Sequence, residues 1–160
     1  ILSYWNIEGT LVNETLHKNL NHSLTLQYLT DPTHVINLSY QFARNAIISS
    51  NTEQPHLRAI QISSAWEVMP KLRLLGSFGH DLNLNRVTNI LVGMEKHSCC
   101  TIFRLVWSRR LKSSAAIITK EYENVASLQF VLKGLTHTGN IDANSLSTTI
   151  PGYVANDNEF

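Results

Sequence analysis

Apolar and polar residues alternate with a period of two through most of this chain. From Ser23, the run SLTLQYLT sets Leu24, Leu26 and Tyr28 against Ser23, Thr25 and Gln27. The next run sets Ile36, Leu38, Tyr40 and Phe42 against Asn37, Ser39 and Gln41. Successive residues of a strand point to opposite faces, so this alternation marks half-polar β-strands, and neither run fits a 3.6-residue period. Thr30 to Thr33 (TDPT) reads as the turn between them, because Asp-Pro favours a turn and Pro32 cannot serve a central ladder. Further strands are expected at about 57–68, 71–81, 86–96, 100–111 and 123–135, with a fainter one within 1–12. Met69-Pro70, Asn83 to Asn85 and His97-Ser98 close hairpins among them. The fold class is all-β, an antiparallel meander of about eight long strands.

These strands run about 10–13 residues, against a globular mode of about 5–6. A tilted strand crossing a bilayer needs about 9–11. The connections also sort into two kinds. Asp31-Pro32, Met69-Pro70 and the corner at Ser98 are tight and fall on one rim, with the end of the sheet after Leu135. Arg44 to Pro55, Lys112 to Tyr122 and a looser stretch near Asn13 to Asn21 fall on the other. Short turns on one rim and long loops on the other is the pattern of outer-membrane barrels, whose short side is periplasmic.

The faces differ in chemistry. After Cys100, Phe103, Leu105 and Trp107 share one face, and Arg104, Ser108 and Arg110 share the other. In the last long strand, Leu128, Phe130 and Leu132 oppose Ser127, Gln129 and Lys133. A soluble barrel carrying an apolar ligand turns its hydrophobic face inward, and a membrane barrel turns it outward. Alternation alone does not say which face is inside. Past Leu135 the alternation stops, and Gly, Asn, Asp and Ser take over. Residues 136–160 are expected to form a tail leaving the sheet on the short-turn side, with one or two helical turns within Asp142 to Thr149, ahead of Pro151.

Composition narrows the function classes. The chain has 160 residues, enough for one domain, with only 16% charged and a net charge of +1, so nothing suggests a nucleic-acid-sized basic surface. No stretch approaches 18 apolar residues, which excludes a transmembrane helix. The chain opens on Ile1 rather than Met, as expected of a processed product or an excised piece. Its seven histidines include no pair at i, i+4 and no CxxC is present, so no metal site is expected. No G-x-S-x-G elbow, acid–base dyad or phosphate-binding loop appears, so neither an enzyme nor a cofactor is expected.

Cys99 and Cys100 are the only cysteines. Neighbouring Cα atoms lie about 3.8 Å apart, below the usual disulfide span of roughly 4.4–6.8 Å, and extended neighbours point apart. A bond between the two would be strained. If they are oxidised, each needs a partner that this chain does not contain; the alternative is a pair of small thiols.

GSFGHDLNLNRVTNILVGMEKHSCCTIFRLVWSRRL, EYENVASLQFVLKGL and IPGY (Ile150 to Tyr153), with LSYQFARN (Leu38 to Asn45) upstream, resemble the end of the LptD family of lipopolysaccharide-assembly outer-membrane proteins, also called organic solvent tolerance proteins. The strong part covers about 90 residues from Val68. The resemblance implies that residues 1–135 are the C-terminal strands of a large transmembrane β-barrel and 136–160 a periplasmic tail. It implies that Cys99 and Cys100 form disulfides to cysteines outside this chain, tying the periplasmic rim to an N-terminal jelly-roll. The lateral gate would use Ala126, Ser127, Leu128, Gln129, Phe130, Val131, Leu132, Lys133, Gly134 and Leu135. Arg73, Arg104, Arg110 and Lys133 would be lumen charges, solvated or facing lipopolysaccharide phosphates. The implied partners are lipopolysaccharide, a lipoprotein plug inside the barrel, periplasmic bridge proteins and the outer membrane, with no nucleic acid. The implied function is insertion of lipopolysaccharide into the outer leaflet through the barrel seam. The alternative is a complete eight-stranded barrel that binds or carries a lipid.

Overall fold

A computed structural model of the chain describes residues 4–14, 19–31, 33–44, 57–111, 121–132, 136–139 and 143–154. Eight long strands follow one another: β1 (Trp5–Glu14), β2 (Asn19–Asp31), β3 (His34–Arg44), β4 (Leu57–Met69), β5 (Leu72–Asp81), β6 (Arg86–His97), β7 (Thr101–Leu111) and β8 (Tyr122–Leu132). A short β9 (Thr136–Gly139) and a helix, α1 (Ala143–Thr149), complete the order. All nine strands form one antiparallel sheet in sequence order, each paired with the next. The expected meander is borne out, with strands of 10 to 13 residues. Among the described residues no ladder joins β9 to β1, so the sheet is an open wall, consistent with part of a barrel.

The turns form where the residues favour them. Asp31 Oδ1 accepts the backbone N–H of Thr33 at 2.7 Å, an Asx turn between β2 and β3. Between β4 and β5, Lys71 adopts a φ of 70°, and Glu67 Oε1 accepts its N–H at 2.9 Å. Between β5 and β6, Asp81 Oδ1 accepts the N–H groups of Asn83 and Leu84, and Asn85 takes a φ of 45°, which Asn tolerates. The stretch expected to be loose near Asn13 to Asn21 is mostly strand, since β1 runs to Glu14 and β2 starts at Asn19. Most of the two expected long loops, Arg44 to Pro55 and Lys112 to Tyr122, lies outside the described residues.

The end of the chain does not leave the sheet directly. Thr136–Gly139 pairs with Gln129–Leu132 of β8. Residues 143–154 then return across one face of the wall. Helix α1 stops before Ile150, as a residue preceding proline favours extended backbone. Leu146, Ile150 and Tyr153 are buried in a cluster with Val35, Ala65, Leu75, Leu91 and Val106. Register places Val35, Ala65, Leu75, Gly93 and Val106 in one row across β3 to β7. That row of small and medium side chains makes the shelf the tail rests on. At Gly93 an added Cβ would lie 3.0 Å from Val106 Cγ2 and 3.1 Å from the Leu105 carbonyl, so the close approach of β6 and β7 leaves a larger side chain little room there.

Apart from Ile102 and Val131, the other buried side chains of the covered face are polar. Asn37, Ser63, Arg73, Ser77, Glu95, Arg104 and Gln129 are buried on it. The opposite face carries Ile36, Leu38, Tyr40, Ile62, Leu74, Phe78, Val92, Phe103, Leu105, Trp107, Leu128 and Phe130, all exposed. In β7 the contrast is direct: Arg104 is fully buried while Leu105 is 42% exposed. The tail-covered, inner face carries Arg73, Glu95 and Arg104, and the exposed apolar side chains named above lie on the opposite face.

Candidate functional site

Register builds the candidate site. Arg73 of β5 pairs with Glu95 of β6, Glu95 with Arg104 of β7, and Arg104 with Gln129 of β8. Directly opposed residues on one face stand about 4.5–5.5 Å apart at Cβ, so the four side chains form one polar row across four strands. Glu95 Oε1 accepts from Arg73 Nη2 at 2.6 Å and Nε at 3.1 Å. Glu95 Oε2 accepts from Arg104 Nε at 2.6 Å, and the Arg104 Nη1 donates to Gln129 Oε1. His97 Nε2 lies 2.6 Å from Glu95 Oε1.

The tail completes this row. Tyr153 Oη donates to Glu95 Oε2 at 2.5 Å. Its ring lies under both guanidinium groups, with Arg73 Cζ 4.8 Å and Arg104 Cζ 5.9 Å from the centroid. Cations over an aromatic face gain from the ring quadrupole, more so when water is excluded. Arg73 Nη1 also donates to the Val154 carbonyl at 3.2 Å. The Glu95 carboxylate thus bridges two buried guanidinium groups, and the tyrosine ring packs against both. Burial, and then the charge of Glu95 beside it, push the Tyr153 phenol above its usual range.

Of the residues picked out as charges from the sequence, Arg73 and Arg104 are brought together here. Arg110 is not. It is exposed and lines a cleft of about 200 Å³ with Gln61, Asn89, Ser108 and Thr149, next to the end of α1. Lys133 lies outside the described residues. Glu95 and Tyr153 were not singled out from the sequence.

In the strand picked as the gate, Ala126 to Leu132 belong to β8, while Lys133, Gly134 and Leu135 lie outside the described residues. Ala126, Leu128 and Phe130 are exposed, Gln129 and Val131 are buried, and Ser127 and Leu132 are half-buried. β9 pairs with β8 only from Gln129 to Leu132. Among the described residues, Tyr122 to Leu128 therefore have a ladder partner in β7 alone.

Cys99 and Cys100 are exposed at the β6–β7 corner, at the rim that also carries the Asp31–Thr33 and Pro70–Lys71 turns. Their Sγ atoms are 3.1 Å apart, well beyond the roughly 2.05 Å of a disulfide. Hydrogen bonding from the Cys100 thiol, then from Ser98, lowers the Cys99 thiol below its ordinary range. No group of three or more metal-binding side chains occurs among the described residues, and no described helix is long and apolar enough to cross a membrane.

No family model matches the chain. It is, however, similar to curated proteins named LPS-assembly protein LptD. The one from Shewanella frigidimarina is 25% identical over 143 residues, covering 84% of this chain and 19% of that protein. Those from Legionella pneumophila and Ralstonia nicotianae are each 27% identical, covering 93% and 88% of this chain and 18% and 16% of the relative. The chain spans about a fifth of the length of the curated relatives it matches. The resemblance read from the Cys-Cys corner, the closing strand and the IPGY tail is borne out, and the likeness extends over most of the chain.

Proposed function

We propose that this chain, a C-terminal portion of an LptD-type protein, is a section of an outer-membrane barrel wall through which lipopolysaccharide is placed in the outer leaflet. The observation that carries this reading is the inversion of the two faces. Arg73, Glu95 and Arg104 are buried on the inner side, while Phe103, Leu105 and Trp107 are exposed on the other. A soluble lipid carrier has the opposite arrangement, since its apolar face holds the ligand. A sheet face with this many exposed apolar side chains is unusual on a water-soluble monomer and marks a surface for a partner or a membrane. Strands of 10 to 13 residues match a tilted crossing of the hydrocarbon core.

In this reading the polar face lines a lumen for the sugar part of lipopolysaccharide, and β8 supplies one side of the seam through which acyl chains leave. Tyr122 to Leu128, with β7 as their only ladder neighbour among the described residues, would meet the first strand of the whole barrel. The short-turn rim faces the periplasm, and there Cys99 and Cys100 would pair with cysteines elsewhere in the full-length protein. A lipoprotein plug and periplasmic bridge proteins would be its partners. The protein would do no covalent chemistry and use no cofactor.

The test is site-directed photolabelling of the full-length protein in membranes with a lipid-soluble reagent. Cysteines placed along β7 should label at 103, 105 and 107 and stay dark at 104, 106 and 108. Labelling with no two-residue period would overturn the reading. Non-reducing mass analysis separately tests the cysteines: a Cys99–Cys100 bond, or two permanently reduced thiols, would overturn the disulfide claim.

A further inference from the structure

A strand in a sheet is tied only to its neighbours, so a curved wall bends by small changes at each ladder. Residues 149–154 tie strands that are not neighbours. The Thr149 carbonyl accepts from Gln61 of β4 at 3.2 Å. The Pro151 carbonyl accepts from Gln27 of β2 at 3.2 Å and from Asn37 of β3 at 2.8 Å. The Val154 carbonyl accepts from Arg73 of β5, and Tyr153 donates to Glu95 of β6. Its ring also meets Arg104 of β7. Five consecutive strands each give this segment a hydrogen bond, and the sixth a cation–π contact.

The seat is built for it. Gly152 takes a φ of 82°, which turns the chain so that the Pro151 carbonyl reaches β2 and β3 while Tyr153 reaches β6. Leu146, Ile150 and Tyr153 fill the shelf made by Val35, Ala65, Leu75 and Val106. Without the tail, that shelf and the Arg73–Glu95–Arg104 row would be open to solvent.

We propose that the Arg73–Glu95–Arg104 row is a binding socket for the chain's own C-terminal segment, and that the seated segment is an internal strap. It holds β2 to β7 as one unit of fixed curvature. Movement is then left to the described strands outside that unit, β1 on one side and β8 with β9 on the other, and the Tyr122 to Leu128 portion of β8 lies beyond the strap's contacts. The location of the strap inside a lumen rests on the barrel-wall reading, but the socket and its occupant do not.

The experiment uses the full-length protein in lipid nanodiscs. p-Benzoylphenylalanine in place of Tyr153 should cross-link on irradiation to peptides from 72–81, 86–97 or 101–111 of the same polypeptide. Tyr153→Ala should raise amide exchange in β3 to β6 at least tenfold, and Tyr153→Phe, which keeps the ring, by less. Should Tyr153→Ala fail to fold, the wall-side pair Gln27→Ala with Asn37→Ala removes the strap's bonds at Pro151 instead and should likewise raise exchange in the strapped strands. Cross-links that map only outside these strands would overturn the proposal, as would exchange unchanged within twofold in the variants. Lipid-phase labelling of β7 in the same samples keeps the two ideas apart. Periodic labelling without the cross-link sinks the strap alone, and the cross-link without periodic labelling sinks the membrane reading alone.

Discussion

Tyr153 Oη lies 2.5 Å from Glu95 Oε2, although 58 positions separate the two residues in the chain. That contact joins the end of the chain to the one carboxylate between two buried arginines. Removing Glu95 would leave the guanidinium groups of Arg73 and Arg104 facing each other without their shared counter-charge. Loss of one partner of a buried pair costs on the order of 3–5 kcal/mol. Glu95→Ala should therefore shift the denaturant midpoint of the folded full-length protein strongly downward, with Glu95→Gln between it and the parent. A midpoint for Glu95→Ala equal to that of the parent would show that the row contributes nothing to stability.

The phenol gives the same contact a pH signature. Burial first and the Glu95 charge second raise the Tyr153 pKa above the ordinary value near 10. A group with a raised folded-state pKa favours the docked state fully below its unfolded value. That contribution is lost as pH rises through the folded one. The tail should stay seated from neutral pH to about 10 and loosen only above it. Limited proteolysis within 143–160 across a pH series reads this directly. Release between pH 6 and 9 would contradict the assignment.

The strands were legible because period-two alternation is a local signal, and Ile36, Leu38 and Tyr40 carry it without help from the rest of the fold. The polar row was not. Arg73 and Glu95 meet only because β5 and β6 slip by one residue between Gly79 and His80. Counting outward from the Asp81–Arg86 turn without that slip would set Arg73 opposite Met94, whose side chain lies on the other face. Glu95 with Arg104 was the accessible part, since pairing outward from the Cys-Cys corner places them opposite each other. The strap's seat could not be read either. A tail rich in Asn, Ser and Gly carries no periodicity, and only the folded wall shows the shelf that receives Leu146 and Ile150.

Gly152 is where that seat is most sensitive to one methyl group. Its φ of 82° lies in the left-handed region, which costs an L-residue roughly 1–2 kcal/mol. A Cβ there would also lie 2.8 Å from Gln27 Nε2 and 3.3 Å from Val35 Cγ2. Gln27 can swing aside, but only by giving up its bond to Pro151, and Val35 is fully buried. Gly152→Ala should speed proteolysis of the tail severalfold while leaving the wall folded. Unchanged cleavage would show that this backbone turn does not fix the seat.

At the rim, the Cys99 thiol is lowered by the Cys100 thiol first and by Ser98 next. In the reduced protein, Cys99 should react with iodoacetamide at a pH below the ordinary thiol range near 8.5. Cys100→Ala removes the main cause, so the midpoint of the rate against pH should move up. Peptide mass mapping of the alkylated site gives the answer. A midpoint unmoved by Cys100→Ala would assign the shift to Ser98 or Lys71 instead.

The two faces of β7 give the most direct physical test of the wall. Leu105 sits near the middle of the strand, opposed by Met94 and Leu128, and its side chain is exposed. If that face meets hydrocarbon, Leu105→Arg places a guanidinium near the bilayer midplane, at a cost of about 2–4 kcal/mol. If it met water, the same change would remove an exposed apolar group and cost close to nothing. Ser108→Lys, on the inner face beside the open cleft with Arg110, adds charge where the surroundings are already polar. The expected result is a marked loss of folded, heat-modifiable full-length protein for Leu105→Arg and little change for Ser108→Lys. Equal tolerance of both, or the reverse order, would mean that the apolar face of this sheet does not lie against lipid.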